Sequence, residues 1–138
     1  MRQVKIYINN HLIMNRIYTF IIICFFCFNV YAQIPNTSMD IIKRHYPRHQ
    51  ISHYEYTNKN HIVTLSNNTI LKFKRNGELI EVNGYVPILI VPYQINNDLL
   101  WTYPHKRIHH YRKHKRGYDL RFKNGKQVRY NRRYKQIK

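Results

Sequence analysis

The sequence predicts an α+β fold of two tandem repeats, each a short helix followed by an antiparallel β-meander, with the helices packed on one face of the sheet. Three observations support this prediction. Residues 42–81 align without a gap on residues 99–138, 57 positions further on. Short segments alternate apolar and polar residues, which is the period of a half-buried strand. Asn and Gly separate these segments at positions typical of hairpin turns.

The first 32 residues have the pattern of an export signal. Arg16 precedes an apolar run from Ile17 to Phe28, and Val30-Tyr31-Ala32 supplies the small residues that favour cleavage after Ala32. This run is shorter than the roughly 20 residues that a membrane-spanning helix needs. We therefore expect a periplasmic or secreted protein with no transmembrane span after cleavage.

Two details of this leader leave alternatives open. Met14 lies just before the run and is an alternative start, and an uncleaved anchor is the alternative to a cleaved signal.

Cys24 and Cys27 are the two cysteines, and both lie inside the run. A cleaved chain would therefore have no thiol for a disulfide or for metal ligation.

The internal repeat divides the remaining chain into unit 1, residues 33–84, and unit 2, residues 85–138. Tyr46-Pro47 falls on Tyr103-Pro104, and His53-Tyr54 falls on His110-Tyr111. The apolar positions correspond as well. Val63, Leu65, Leu71 and Phe73 align with Leu120, Phe122, Val128 and Tyr130. The basic C-terminal stretch is thus a second copy of a structural element, to which positive charge has been added.

Each unit begins with a predicted short helix. In unit 1, Asn36-Thr37-Ser38 offers N-capping oxygens, and Ile42 and Tyr46 follow at helical spacing. Pro47 then ends the helix, because its ring cannot continue one. In unit 2, the prolines at the two ends of residues 92–104 bound the corresponding helix.

Strand pairing in unit 2 depends on the length of one turn. A three-residue loop, Lys123-Asn124-Gly125, pairs Leu120 with Val128 and keeps the apolar residues on one face. A two-residue loop would break that face, because a slip of one residue inverts every side chain. We therefore predict the three-residue loop, with Gly125 at positive φ.

Turn residues predict the loop lengths of two further hairpins. Ser66-Asn67-Asn68 is predicted to form the same three-residue loop in unit 1, since Asn tolerates positive φ. Arg75-Asn76-Gly77-Glu78 is predicted to hold a two-residue Asn-Gly loop that pairs Phe73 with Ile80. Its counterpart, Arg132-Arg133-Tyr134, contains no glycine and specifies a turn less clearly.

These motifs together resemble a known family. Their order is a helix ending in Tyr-Pro, then "VTLSNNTILKF", "FKRNGELIEV" and "GYVPILIVPYQINNDLLWTYP". The chain is similar to the beta-lactamase-inhibitor-like, PepSY-like domains of exported bacterial proteins, in which such units often occur in pairs. Val86-Pro87, Ile90 and Pro92 match the family's linker, whereas Asn68 replaces a glycine. The resemblance covers residues 36 to 138 and implies a non-enzymatic binding or inhibitory role outside the cytoplasm.

Positive charge is concentrated in unit 2. Residues 105–138 hold 14 Lys and Arg against Asp119 alone, and the whole chain carries a formal charge of +18. The strand pattern predicts a basic sheet face on which Asp119 lies opposite Arg129 as an ion pair. The candidate binding face consists of Arg121, Lys123, Arg129, Lys126 and Lys113. A solvated strand face without a ligand is the alternative interpretation of the same pattern.

Nucleic acid is disfavoured as the partner of this face. Aromatic residues between cations can stack on bases, but the strand alternation turns Tyr118, Phe122 and Tyr130 toward the core. Export also argues against such a partner. Acidic glycans or lipid headgroups are the polyanions that we expect instead, with binding that weakens as salt is added.

No metal, cofactor or catalytic site is predicted. The histidines occur in two series, which Pro47 and Pro104 interrupt, so helical i, i+4 pairs of ligands cannot form. The carboxylates are isolated, and no nucleophile lies in a pattern that would activate it. The histidines are explained more simply as surface residues of a basic strand.

The sequence therefore predicts an exported, non-enzymatic binding module. The leading hypothesis is a protein or peptide partner at the cell envelope, with a possible inhibitory effect on that partner. The competing hypothesis is an anionic envelope component, an acidic glycan or lipid headgroup, bound through the basic sheet face of unit 2.

Overall fold

The computed structural model describes residues 34–57 and 59–137. The predicted export signal, including Cys24 and Cys27, lies outside the described residues. In chain order the elements are α1 (Asn36–His45), β1 (Ile51–Thr57), β2 (Asn60–Leu65), β3 (Ile70–Lys74), β4 (Leu79–Asn83), a 3₁₀ turn (Ile88–Ile90), α2 (Tyr93–Thr102), β5 (Ile108–His114), β6 (Gly117–Phe122), β7 (Gln127–Asn131) and β8 (Gln136–Ile137).

The fold is α+β, with two helices and one antiparallel sheet of eight strands. The strands pair in chain order from β1 to β8, so every neighbour in the sheet is also a neighbour in sequence. The helices begin at Asn36 and Tyr93, and the first residues of β1, β2, β3 and β4 likewise recur 57 positions later in β5, β6, β7 and β8. The pairing of β4 with β5 joins the two halves of the chain into one sheet.

Alternation along the strands creates one buried sheet face. The side chains at every second position of β2, β3 and β7 are buried, as a two-residue period requires, and in β6 Leu120 and Phe122 are buried while Tyr118 is half-buried. The core on this face includes Val63, Leu65, Leu71, Phe73, Val82, Leu120, Phe122, Val128 and Tyr130. Ile42 of α1 and Ile95 and Leu99 of α2 are also buried.

The hairpin turns confirm two predictions and correct a third. Phe122 donates its amide to the carbonyl of Lys126, which closes the predicted loop 123–125, with Gly125 at φ 85°. Loop 66–68 closes in the same way, with Asn68 at φ 62°. The predicted two-residue Asn-Gly loop was wrong.

Residues 75–77 form a three-residue loop, because the amide of Lys74 donates to the carbonyl of Glu78. Phe73 consequently pairs with Leu79 and not with Ile80, and a register shift restores the pairing of Leu71 with Val82. Extra residues of this kind are accommodated as β-bulges. The side chain of Asn76 also accepts the Glu78 amide hydrogen, which further stabilises the loop.

The fourth turn adopts this geometry without a glycine. The amide of Asn131 donates to the carbonyl of Lys135, so residues 132–134 form the loop, and Tyr134 takes positive φ at 59°. The Asn131 side chain accepts hydrogen bonds from the amides of Arg133 and Lys135. These two bonds provide local support for a conformation that large residues rarely adopt.

Both helices end where the prolines predict, but α1 begins differently from expectation. Tyr46 and Tyr103 are the residues that follow the last turn of each helix, directly before Pro47 and Pro104. Pro35 is the N-cap of α1, with no side-chain capping bond. The Thr37 and Ser38 hydroxyls, predicted as caps, instead donate to backbone carbonyls of the 75–77 loop. They therefore tie α1 to the sheet.

Candidate functional site

The face of the sheet opposite the core is exposed across both halves of the chain. We call it the open face. Tyr130 on β7 points to the core side, where its hydroxyl donates to Asp98 of α2 at 2.6 Å. Its neighbour Arg129 therefore points to the open face, and α2 lies on the other side of the sheet.

A row of side chains, one from each strand, crosses the open face. The register places Glu55, Ile62, Lys72, Glu81, Arg112, Asp119, Arg129 and Ile137 side by side from β1 to β8. From Lys72 to Arg129, the charges in this row alternate in sign. Opposite charges directly across a strand pair stabilise a sheet, and like charges destabilise it.

Two histidines lie close to the acidic residues of this row. The His110 Nε2 atom lies 3.0 Å from Glu81 Oε1, and the His114 Nε2 atom lies 3.4 Å from Asp119 Oδ1. Arg129 Nε approaches the same Asp119 oxygen at 3.8 Å, which agrees with the predicted pair. Each of these carboxylates thus has cationic or histidine neighbours on two strands.

A shallow concavity of about 270 Å³ lies on the open face in the second half of the chain. Both polar and aliphatic groups line it: Glu81, His110, Arg112, Asp119, Leu120, Arg121, Gln127, Val128 and Arg129. Arg121 lies in a second row between His110 and Gln127, where it has no carboxylate directly opposite. It is the most weakly neutralised cation of this concavity.

The structure separates the five residues of the predicted binding face. Arg121 and Arg129 lie on the open face, and Lys123 is exposed in the loop that follows β6. Lys113 is directed away, since its Nζ atom donates to Glu78 at 2.7 Å. Lys126 also lies elsewhere, with its ammonium 4.4 Å from the centroid of the Tyr103 ring. The five side chains therefore do not form one surface, and their role in binding stays a prediction.

Lys113 belongs to a small ionic cluster on the helix side. Glu78 accepts from Lys113 and from Lys74, each at 2.7 Å. The hydrogen bonds from Lys113 and then from Lys74 lower the pKa of the Glu78 carboxyl below its ordinary value. One carboxylate is thus shared by two ammonium groups that sequence alone leaves unpaired.

Sequence reasoning missed a cationic cluster at one end of the sheet. Gly117 pairs with Asn131, so the turn between β5 and β6 lies beside the turn between β7 and β8. These two adjacent turns carry Lys115, Arg116, Arg132, Arg133 and Lys135, all exposed. We call this group the basic turns. Hairpin register would have revealed it, because alternate turns of an antiparallel meander lie at the same end of the sheet.

The outward side of α2 carries large exposed apolar residues next to Gln94 and Asn97, whereas the outward side of α1 is polar. Trp101 is 82% exposed, Tyr93 77% and Leu100 59%, and Leu89 in the preceding 3₁₀ turn is 78% exposed. The corresponding exposed residues of α1 are Arg44, Asn36 and Lys43. Several exposed apolar side chains on one side of a helix are typical of contact surfaces.

A cleft of about 450 Å³ lies on the helix side, between the two halves of the sheet. His45 of α1, Tyr93 of α2, Tyr111 and Lys113 of β5, and Tyr118 of β6 are among the residues that line it. Burial raises the pKa of the Tyr111 phenol above its ordinary value, so this hydroxyl is neutral at physiological pH. Nothing in this cleft pairs a nucleophile with a base at hydrogen-bond distance among the described side chains.

Metal-ligating side chains do not cluster in the part of the chain that the structure describes: no group of three or more His, Cys, Asp or Glu is brought together there. His45 and His49 lie near α1, whereas His105 and His109 precede and begin β5. The structure also places no helix of sufficient length and apolarity to cross a membrane within residues 34–57 and 59–137.

The family model described as beta-lactamase-inhibitor-like, PepSY-like matches residues 29–81 and again residues 59–138. The chain belongs to this PepSY-like family. The two matches overlap at residues 59–81, and the second continues to the last residue. No curated protein matches the chain.

Three solved structures share the fold of this PepSY-like chain. A periplasmic protein of unknown function from Bacteroides vulgatus is 19% identical, with a TM-score of 0.72 over 80% of this chain and 94% of its own. A second periplasmic protein from that organism is 24% identical, with a TM-score of 0.71 over 78% and 90%. A protein from Bacteroides thetaiotaomicron, described as calcium-regulated and periplasmic, is 20% identical, with a TM-score of 0.70 over 78% and 90%.

Proposed function

We propose that this PepSY-like protein is an exported, non-enzymatic binding module that recognises a protein or peptide at the cell envelope through its open face. Occupying that partner would inhibit it, in line with the inhibitor-like description of the family. Location outside the cytoplasm is supported by the leader pattern of residues 1–32 and by the periplasmic descriptions of the similar structures.

The alternating row on the open face is the observation that carries this proposal. Glu81 and Asp119 alternate with Lys72, Arg112 and Arg129 across the centre of the sheet. A uniform polyanion would meet these two carboxylates as like charges, whereas a protein surface can present the complementary pattern. Electrostatic complementarity of this kind fixes register and rejects wrong partners.

Aliphatic residues on the same face favour a folded or extended polypeptide as the partner. Ile62 and Ile137 lie in the alternating row, and Ile70 is 39% exposed in the neighbouring row. Apolar groups surrounded by polar ones are the usual composition of protein interfaces.

We also infer that the module consists of two tandem PepSY-like units, residues 33–84 and 85–138. Each unit would contribute one helix and one four-stranded meander, with the helices on the core side of the sheet. The 57-residue recurrence of every element and the two family matches support this organisation. The open face would then be a composite surface that neither unit supplies alone.

A reversal of one charge tests the proposal. Arg112→Glu would place an acidic residue between Glu81 and Asp119, so that three acidic residues lie side by side. This change would disrupt the alternating row without altering the core. Arg133→Glu, in the basic turns, is the matched control because it changes the net charge equally. With the protein as bait in an envelope extract, we expect Arg112→Glu to reduce retention of the partner by about tenfold. The control should retain it within about threefold.

The salt dependence of capture provides the opposing outcome. A single protein retained at near-molar salt by the wild type and lost from Arg112→Glu would support recognition through the open face. Equal losses in Arg112→Glu and Arg133→Glu, with glycans or lipids as the only material bound at low salt, would contradict it. Thermal melts of both variants would establish that each remains folded.

The second candidate function is binding of an anionic envelope component through the basic sheet face. Arg121 favours it, because this exposed cation has no ion-pair partner among the described side chains and lies beside the concavity. Replacing Arg121, Lys123 and Arg129 together with Gln should abolish binding if charge is the mechanism. If the partner is recognised by shape, the same triple variant should lose only part of its binding.

A further inference from the structure

We propose that the outward face of α2 is a membrane-contact surface that rests on an anionic lipid bilayer. This inference goes beyond the proposed function and does not depend on it. The face comprises Tyr93, Leu100 and Trp101 of α2 together with Leu89 of the preceding 3₁₀ turn. Leu89, Tyr93 and Trp101 each expose more than three quarters of their surface. We call these four residues the α2 patch.

Helical geometry collects the patch on one side. Residues 93, 100 and 101 lie within about one quarter of a helical turn of one another around the axis of an α-helix, with the exposed polar residue Asn97 between them. Ile95 and Leu99 lie on the opposite side and are buried in the core. The packing of α2 is therefore complete without the patch, which projects into solvent.

The counterpart helix shows that the fold does not require an apolar patch. Lys43, Arg44 and Asn36 of α1 occupy the positions of Leu100, Trp101 and Tyr93. Both helices bury corresponding residues, Ile42 in α1 and Leu99 in α2. The other buried position differs, with Ser38 in α1 and Ile95 in α2, but large aromatic and aliphatic groups are exposed on the outward side of α2 and not of α1.

Cations lie near both ends of α2. Directly after its last residue, the Tyr103 ring is approached by the ammonium groups of Lys106 at 5.3 Å and Lys126 at 4.4 Å. Near its first residue, Lys113 in the cleft that Tyr93 lines is bonded to Glu78, so the free cations at this end are those of the basic turns. Clusters of Lys and Arg beside an amphipathic helix attract anionic headgroups.

The basic turns extend this positive region. Tyr118 lines the same cleft as Tyr93, and its ring stacks on that of Tyr134 with centroids 5.7 Å apart. Tyr134 belongs to the turn that carries Arg132 and Arg133. Contacts through Tyr118 and Tyr134 thus connect Tyr93 of the α2 patch with the cations of the basic turns, at the end of the sheet where α2 begins.

Charge identifies the bilayer as the occupant of the patch. A second copy of the chain would carry the same formal charge of +18, which opposes association of copies. The one acidic residue of α2, Asp98, accepts a hydrogen bond from Tyr130 on the inner side, so the patch itself presents no carboxylate. Trp and Tyr rings beside cations are the composition that favours the interface of an anionic membrane.

The two surfaces have separate places in the molecule. Asp98 contacts the core face of β7, so the α2 patch lies on the opposite side of the sheet from the alternating row. The protein could therefore rest on a membrane through α2 while the open face remains available to a partner.

Trp101 gives a direct test, because it is the single tryptophan of the chain. The full chain would be titrated with vesicles of phosphatidylcholine containing one quarter phosphatidylglycerol, and with vesicles of phosphatidylcholine alone. We expect a blue shift of Trp101 fluorescence with the anionic vesicles, and quenching by lipids brominated along the acyl chain. Inorganic phosphate should produce no shift, which separates a lipid surface from a free anion.

A pair of variants distinguishes apolar insertion from charge attraction. Leu100→Lys reproduces the residue found in α1 and adds a cation, so charge attraction alone would strengthen binding. We expect it instead to weaken partition into the anionic vesicles by about tenfold. Ile70→Lys, the same type of exchange on the open face, is the matched control and should change partition by less than about twofold.

Three results would overturn the inference. One is the absence of a blue shift with anionic vesicles, and another is binding in which Trp101 stays fully accessible to an aqueous quencher. The third is a concentration-dependent shift without lipid, which would assign the patch to contact between copies. Retention of the envelope partner by Leu100→Lys and its loss from Arg112→Glu would separate this surface from the open face.

Discussion

The two halves of the sheet have the same elements in the same order, yet they present different surfaces. Phe73 and Tyr130 occupy corresponding buried positions, as do Val63 and Leu120. In contrast, the exposed side of α1 carries Lys43 where α2 carries Leu100. These core positions are constrained by close packing, so they retain apolar character in both halves. Outward positions are free of that constraint, and the halves have diverged there.

The turns show the same contrast at finer scale. Gly77 and Tyr134 occupy corresponding positions and both adopt positive φ. Glu78 and Lys135 follow them, so an acid in the first half is replaced by a base in the second. The backbone geometry is preserved while the charge is reversed, which indicates that backbone and surface charge are specified by separate residues.

The largest effect is expected from the shared core. Phe73→Ala should lower the free energy of unfolding by about 3–5 kcal/mol, because the side chain is fully buried and its removal leaves a cavity. Urea denaturation followed by circular dichroism would measure it. Tyr130→Phe at the corresponding position of the second half should cost only about 1 kcal/mol, since it removes the hydroxyl bonded to Asp98 and leaves the ring in place. Equal losses in the two variants would contradict the assignment of the larger effect to a cavity.

An intermediate effect should distinguish the start of β6 from the start of β2. Gly117→Ala would place a methyl group 1.9 Å from the carbonyl oxygen of Tyr130, so the strand must shift. We expect a loss of about 2–4 kcal/mol in the free energy of unfolding. Asn60 is the counterpart and already carries a side chain, so Asn60→Ala should cost less than about 1 kcal/mol. Similar denaturation midpoints for the two variants would contradict the close approach at Gly117.

The smallest effect concerns the acid that distinguishes the first half. The lysines beside Glu78 lower the pKa of its carboxyl, so its stabilising contribution is present at neutral pH and is lost as the pH falls through the lowered value. Glu78→Gln should therefore lower the free energy of unfolding at neutral pH, by less than about 1 kcal/mol because the pair is partly exposed. The difference between wild type and variant should vanish in acid. Denaturation at several pH values measures this, and a difference that grows on acidification would refute it.

Sequence alone determined the 57-residue repeat, the strand alternation, the register at loops 66–68 and 123–125, and the C-terminal ends of both helices. These features depend on local rules: a two-residue period, the positive φ that Gly and Asn tolerate, and the inability of proline to continue a helix. The loop at residues 75–77 was misassigned, because either loop length satisfies the Asn-Gly signal. The Thr37 and Ser38 hydroxyls were misassigned too, since their partners lie 39 residues away.

Apart from the Asp119–Arg129 pair, which the sequence predicts, only the tertiary structure decided which charges lie together. The alternating row on the open face requires β4 to pair with β5, and no local pattern specifies that contact between the halves. The same pairing brings Lys113 to Glu78, which removes it from the predicted binding face. The alternation of a strand gives each side chain a direction, but the identity of its neighbours depends on the order and register of the strands. The fold of this protein can therefore be predicted from its sequence, whereas the arrangement of its surface charges depends on the assembly of the sheet.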